Sequence, residues 1–239
     1  MDYQAVFKRY ELKYLLTKAQ QERVLEAMQA HMSLDEYGRT TIRNIYFDTQ
    51  SYRLIRRSIE KPAYKEKLRL RSYSQTCPDS AVFVELKKKY NSVVYKRRLS
   101  MTEAQAVQWL QGTKQYTPGC QISREIDYFR QFYETLHPVA FLSYEREAYH
   151  AKDRSDFRVT FDDTILSRET ELSLEAPVYG CPLLEDGYVM MEIKCSGGIP
   201  LWMTSVLSRE KIYKTSFSKY GTAYQTVIFP RLKEDKIHA

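Results

Sequence analysis

In an antiparallel sheet alternate side chains share a face, and several segments of this chain put basic residues on one face and apolar residues on the other. Lys67, Arg69 and Arg71 fall together, opposite Leu68 and Leu70. Glu85, Lys87 and Lys89 oppose Val82, Val84 and Leu86, and Arg9, Glu11 and Lys13 oppose Tyr10 and Leu12. Arg158, Thr160 and Asp162 stand against Val159 and Phe161, while Glu192 and Lys194 stand against Met191, Ile193 and Cys195. Tyr144 and Arg146 make a weaker sixth instance. A half-exposed sheet alternates routinely, but solvated faces usually mix in Ser, Thr, Asn and Gln and balance their charges. These faces are rich in Arg and Lys. Curled inward, they would line a basic cavity whose buried cations need an anion. Arginine suits bidentate contacts to phosphate oxygens and lysine supplies movable point charges. The accompanying carboxylates then serve as ion-pair partners or as ligands of a divalent cation riding on phosphates.

Composition agrees with an anionic partner without choosing one: Lys and Arg number 37 against 30 Asp and Glu, a net charge of +7 over 239 residues. No apolar run reaches the length of a membrane helix, and Met1 to Tyr10 has no apolar core of a signal peptide, so a cytoplasmic protein is expected. Cys77, Cys120, Cys181 and Cys195 are too scattered for a zinc site or a disulfide framework. The four histidines form no metal motif, and Walker A, GxGxxG and serine- or cysteine-nucleophile signatures are missing. Nucleic acid is not the expected partner, because the basic residues sit at strand spacing and no recognised nucleic-acid module is present.

The expected strands are 6–15, 42–47, 64–73, 81–90, 93–100, 139–150, 157–166 and 187–195. Helices are expected from Thr17 to about His31, Thr49 to Ile59, Thr102 to Gln111, Ser123 to Leu136, onward from Leu201, and from Ser218 to Ile228. The rapid succession of 64–73, 81–90 and 93–100 implies antiparallel pairing. The expected class is α+β, an eight-stranded antiparallel barrel or tunnel with helices packed outside. A single domain over 1–232 is expected, followed by a frayed polar tail, 233–239.

The segments IYFDT (45–49), KLRLR (67–71), VELK (84–87), SYER (143–146), RVTFD (158–162), MEIK (191–194) and SFSK (216–219), with FKRYELKY at 7–14, together resemble the triphosphate tunnel metalloenzymes, a CYTH-like superfamily. Within them the chain is similar to the VTC (vacuolar transporter chaperone) polyphosphate polymerase domain. The resemblance implies a tunnel whose basic walls hold a triphosphate or a growing polyphosphate. It implies that Arg69, Arg71, Lys87, Arg146, Arg158 and Lys219 act on the reacting phosphates. Arg9, Lys13, Lys67, Lys89, Lys96, Arg98, Tyr144, Lys194 and Lys214 would bind the chain, and Glu192 and Glu11 would hold Mn²⁺ or Mg²⁺. Hydrolase and cyclase branches carry ExExK on the first strand; here Arg9 replaces the first glutamate, which favours retention of a polyanion over an additional metal ligand. Ser216 stands where another lysine is expected by analogy, with Lys214 as a nearby substitute. The implied activity is transfer of the γ-phosphate of a nucleoside triphosphate, ATP above all, onto polyphosphate. The alternatives are an inorganic triphosphatase in the same tunnel or a non-catalytic polyphosphate- or inositol-phosphate-binding module. Relatives often work beside membrane proteins that receive the product, so a membrane partner at the inner face is also implied.

Overall fold

The computed structural model describes residues 10–91, 93–114 and 119–237, so Arg9 lies outside the described residues. The long strands are β1 (Tyr10–Thr17), β3 (Thr40–Asp48), β4 (Tyr64–Ser72), β5 (Ala81–Tyr90), β6 (Val93–Thr102), β7 (His137–Ala151), β8 (Arg158–Arg168) and β10 (Tyr188–Cys195). Three short ones, β2 (Met32–Leu34), β9 (Cys181–Pro182) and β11 (Lys214–Thr215), join them in one antiparallel sheet. Its hydrogen-bonded path runs β11-β1-β10-β8-β7-β3-β4-β5-β6, with β2 on β7 and β9 on β8. The expected eight-stranded closed barrel is therefore corrected to eleven strands on an open path, whose ends β11 and β6 are not paired among the described residues. The three extra strands span two or three residues each, too few for alternation to register. The sheet nevertheless curls. Lys87 on β5 reaches Glu11 on β1 at 2.7 Å, although these strands lie near opposite ends of the path.

Local chemistry sets the helix starts. Thr17 and Gln20 form a capping box for α1 (Lys18–Met28), and Thr102 and Gln105 form another for α3 (Glu103–Leu110). Asp48 does cap α2, but the helix begins at Arg53 rather than Thr49 because Tyr52 adopts a left-handed backbone (φ 56°). The Asp48 carboxylate then accepts from the Leu54 and Ile55 amides at 2.9 Å. The remaining helices are α4 (Gln121–Tyr133), α5 (Leu201–Arg209), α6 (Lys219–Ala223) and α7 (Phe229–Ile237). A π-helical turn, Tyr224–Ile228, joins the last two. Of the residues expected as a frayed tail, 233–237 continue a helix, and 238 and 239 lie outside the described residues. No helix among the described residues is long and apolar enough to cross a membrane.

Three apolar clusters result. One packs α1 and α5 under β1, β8 and β10 through Val24, Met28, Leu16, Val159, Ile193, Met203 and Val206. A second packs α3 and α4 under β3 to β6 through Trp109, Ile126, Phe129, Leu68, Leu70, Val84 and Leu86. The third corrects the expectation that every helix lies outside. Ile42, Tyr46, Leu142 and Tyr144 belong to the same face as the basic residues, and Tyr220, Ala223, Tyr224 and Ile228 pack against them. The C-terminal segment therefore occupies part of the concave face. The cations occupy the rest.

Candidate active site

Strand pairing brings the predicted residues to that concave face. Lys67 stands opposite Lys87, Arg69 opposite Glu85, Glu85 opposite Arg98, and Lys87 opposite Lys96. Across the cavity, Lys13 pairs with Glu192, Glu11 with Lys194, and Glu192 with Thr160.

The charge is organised around two buried carboxylates. Glu85, 1% exposed, receives Arg69 (2.7 Å), Arg98 (2.7 Å) and Lys96 (2.6 Å), with Arg71 at 3.8 Å. Burial pushes its pKa up, but Arg71, Arg69, Lys96 and Arg98 outweigh burial and hold it well below the usual carboxylate range. Asp162, fully buried, takes a bidentate contact from Arg146 (2.6 and 2.7 Å) and one from Lys219 (2.5 Å). It too titrates below the usual range, because these two cations overcome its desolvation. Neither carboxylate belongs to the set expected from sequence. The signal was available, since both occupy inward positions within the basic alternation.

The remaining lining has fewer anions than cations. Glu11 pairs with Lys87, and Glu192 lies 3.9 Å from Lys194. Lys13 donates to the Phe217 carbonyl and Lys67 to the Ser218 hydroxyl, at 2.7 and 2.8 Å. Lys67 has no carboxylate contact among the described residues; burial, then Lys13, Lys87, Lys65 and Arg69 around it, lower its pKa to about 7. Lys13 falls to about 8, chiefly through burial, with Lys87 and Lys219 adding repulsion. Burial brings Lys96 to about 7 despite its contact with Glu85. The Tyr144 hydroxyl accepts from Arg71 at 2.9 Å, and the Lys219 ammonium stands 4.3 Å from the ring centre. Burial would raise its pKa, but Arg71, Arg146 and Lys219 bring it down to about 8.

A further group is supplied by the C-terminal strap. Phe217 touches β1 through Lys13, Ser218 touches β4 through Lys67, and Lys219 touches β8 through Asp162. Tyr220 donates to Asp48 of β3 at 2.9 Å and stacks on Tyr46, whose hydroxyl receives Arg69 at 3.0 Å. Asn44 orients Arg71 through its side-chain oxygen. Asn44 and Tyr46 escape a search for charge because they are neutral.

Two predicted residues stand elsewhere. Arg158 has the inward register, opposite Lys194, but is exposed at the first residue of β8, so it is a rim residue and does not line the centre. Lys214 is exposed and pairs with Tyr14, whereas its neighbour Thr215 pairs with Lys13. Strand alternation therefore turns Lys214 away from the cavity. Lys89 is half-buried opposite Lys65, one step beyond Lys87.

No cluster of three metal-ligating side chains exists among the described residues. Glu11 and Glu192 are nevertheless close enough to influence each other's ionisation. The Thr160 hydroxyl opposite Glu192 is buried with no hydrogen-bond partner. Glu11 and Glu192 are the lining carboxylates that could hold a divalent cation, with water and phosphate oxygens completing its shell.

The lysines give a signed pH prediction. Lys13, Lys67 and Lys96 are all lowered in the folded protein from an ordinary 10.5. Their charged forms therefore burden the native state fully below about pH 7, and the burden lifts as pH rises toward the unfolded value. Thermal stability should rise across this window in circular-dichroism melts of the ligand-free protein. Polyanion binding should restore the protons. At pH 8, tripolyphosphate titrations in buffers of different ionisation enthalpy should therefore show net proton uptake.

A model of the VTC domain family matches residues 8–228. The chain belongs to the VTC domain family. Among solved structures, it is similar to a "putative adenylate cyclase" from Bacillus halodurans, at 15% identity and a TM-score of 0.56 over 90% of this chain and 95% of that one. A second protein so described, from Vibrio parahaemolyticus, is 10% identical with a TM-score of 0.50, covering 90% of this VTC chain and 97% of its own. At such identities the likeness is one of fold. A comparison with curated proteins gives no match.

Proposed function

We propose that this VTC domain is a metal-dependent polyphosphate polymerase, transferring the γ-phosphate of a purine nucleoside triphosphate such as ATP to the end of a polyphosphate chain. The observation that carries the reading is Lys67, a half-buried ammonium among Lys13, Lys87, Lys65 and Arg69 with no carboxylate within ion-pair distance among the described residues. Such a group is matched only when phosphate oxygens enter. A terminal phosphate oxygen of the acceptor is already ionised, so it attacks the γ-phosphorus without a base. The β,γ-bridging bond breaks, and the nucleoside diphosphate leaves. Phosphoryl transfer of this kind needs positioning and charge neutralisation more than covalent help. Arg69, Arg71 and Arg146 hold equatorial oxygens, with Lys67, Lys87, Lys194 and Lys219 spreading the developing charge. Glu192 and Glu11 would hold a divalent cation, which when bound neutralises phosphate oxygens.

Water as acceptor is the less favoured reading. It calls for a proton acceptor; Glu85 and Asp162 are ion-paired and held below the usual range, which makes them poor bases, so the proton would have to pass to another lining group such as Lys67.

Incubation with ATP and Mn²⁺ or Mg²⁺ should give a ladder of long chains on a gel. Free phosphate alone would establish a hydrolase, and tight tripolyphosphate binding without turnover a binding module. Arg69→Ala and Glu192→Ala should each reduce chain synthesis by at least a hundredfold, consistent with loss of ~2.7 kcal/mol or more of transition-state stabilisation. Retained synthesis in both would refute the site.

A further inference from the structure

The concave lining changes chemistry along its length. The cross-strand pairs of β4 and β5 run Lys65 with Lys89, Lys67 with Lys87, Arg69 with Glu85, then Arg71 with Phe83. One step past Arg71, beyond the end of β4, comes Tyr73. One end is therefore made of ammonium groups, the middle of guanidinium groups, and the other end of aromatic rings.

At the aromatic end Tyr73 and Phe83 meet edge to face, with centroids 5.6 Å apart and planes at 78°. The Arg98 guanidinium lies 4.0 Å from the Phe83 centroid and donates to the Tyr73 hydroxyl at 2.5 Å. Arg98 is also tied to Glu85, so it ties the aromatic pair to the cationic centre. Phe83 is half-buried, but Tyr73 remains 42% exposed. Tyr73 thus presents a partly open ring beside the Arg98–Glu85 pair, at the end of the cationic row.

We propose that the Tyr73–Phe83 end of the cavity is the nucleoside subsite, where the purine of the donor triphosphate stacks on the open face of Tyr73 and its phosphates run inward past Arg98 and Arg71. The donor's identity rests on the polymerase reading. Rigid guanidinium forks suit a triphosphate held in one pose, whereas ammonium point charges suit a chain that must slide, so product leaves by the Lys65–Lys89 end. Stacking engages the π face rather than the base edges, so ATP and GTP should bind alike.

The competing role for Tyr73 is to buttress Arg98 through its hydroxyl, and binding measurements separate the two. Wild type, Tyr73→Phe, Tyr73→Leu and Tyr73→Ala would each be titrated with the β,γ-imido analogue of ATP and with tripolyphosphate, with ligand-free melting temperatures confirming the fold. Tyr73→Leu and Tyr73→Ala should weaken the nucleotide analogue roughly five- to fiftyfold, the loss of one stacked base, while tripolyphosphate stays within about twofold. Tyr73→Phe should keep both affinities. Equal losses for both ligands, a Tyr73→Phe variant as weak as Tyr73→Ala, or wild type that binds tripolyphosphate but not the analogue would overturn the subsite. A protein that holds the analogue through Tyr73 yet makes no chain from ATP would instead refute the polymerase reading and leave the subsite standing.

Discussion

Replacing Lys67 with methionine should leave the ligand-free protein at least as stable as wild type while cutting chain synthesis roughly ten- to hundredfold. Most buried charged residues do not behave this way, because removing them strands a partner. Lys67 has a different environment: among the described residues its hydrogen bond goes to the neutral Ser218 hydroxyl, and Lys13, Lys87, Lys65 and Arg69 are the charges that bear on it most. Methionine keeps the unbranched stem and removes the repulsion, and Ser218 retains its role as acceptor from the Gly221 amide at the start of α6. What disappears is a charge-assisted contact to phosphate, about 1.5–3 kcal/mol. Denaturant melts and a product-sizing assay on the same preparation would check both halves. A clear loss of stability would mean that the Lys67–Ser218 contact is structural and would remove the principal support for an anion-filled cavity.

Glu85→Ala should produce the opposite pattern, a loss of about 3 kcal/mol, because removing a buried carboxylate leaves Arg71 and the part-buried Arg69 and Arg98 without their counterion. Arg69, Arg98 and Lys96 contact it directly, and Arg71 lies just beyond. Glu85→Gln keeps the shape and one acceptor oxygen but removes the charge, and should fall close to the alanine variant if electrostatics dominate. The diagnostic measurement is rescue. Tripolyphosphate should raise the melting temperature of Glu85→Ala by more than it raises that of wild type, because it supplies the missing negative charge. Equal shifts would show that Glu85 holds the strands together by geometry rather than by charge.

The fold was legible wherever a strand was long enough to alternate. β5 runs from Ala81 to Tyr90, as the pattern of Val82, Val84 and Leu86 predicts, and the inward set of Lys67, Arg69 and Arg71 follows directly from Leu68 and Leu70. β11, with Lys214 and Thr215, carries no such signal, and Lys214, offered by analogy as a substitute for a lysine at 216, turns away from the cavity. Closure of the cavity was illegible for a different reason. It depends on Tyr220, Ala223 and Tyr224, a stretch whose apolar spacing also fits an outer helix; only the tertiary contacts with Tyr46 and Asp48 decide which side it takes. Among site residues, sequence located the cations far better than their counterions. Basic residues attract attention by their number, whereas Glu85 and Asp162 are single acids whose importance arises from how many cations reach each of them.

The strap that packs into the concave face comes late in the chain, and so does the partner of β1. Tyr10 pairs with Cys195, so β1 must wait for β10 to be synthesised, and residues 217–220 come later still. Until then β4, β5 and β6, which pair with their sequence neighbours, can form a meander with its cationic face bare. Such long-range closure is intrinsically slow. Until residues 217–220 dock, the hydrogen bonds that Lys13, Lys67 and Asp162 make to them are missing, and those charges face water.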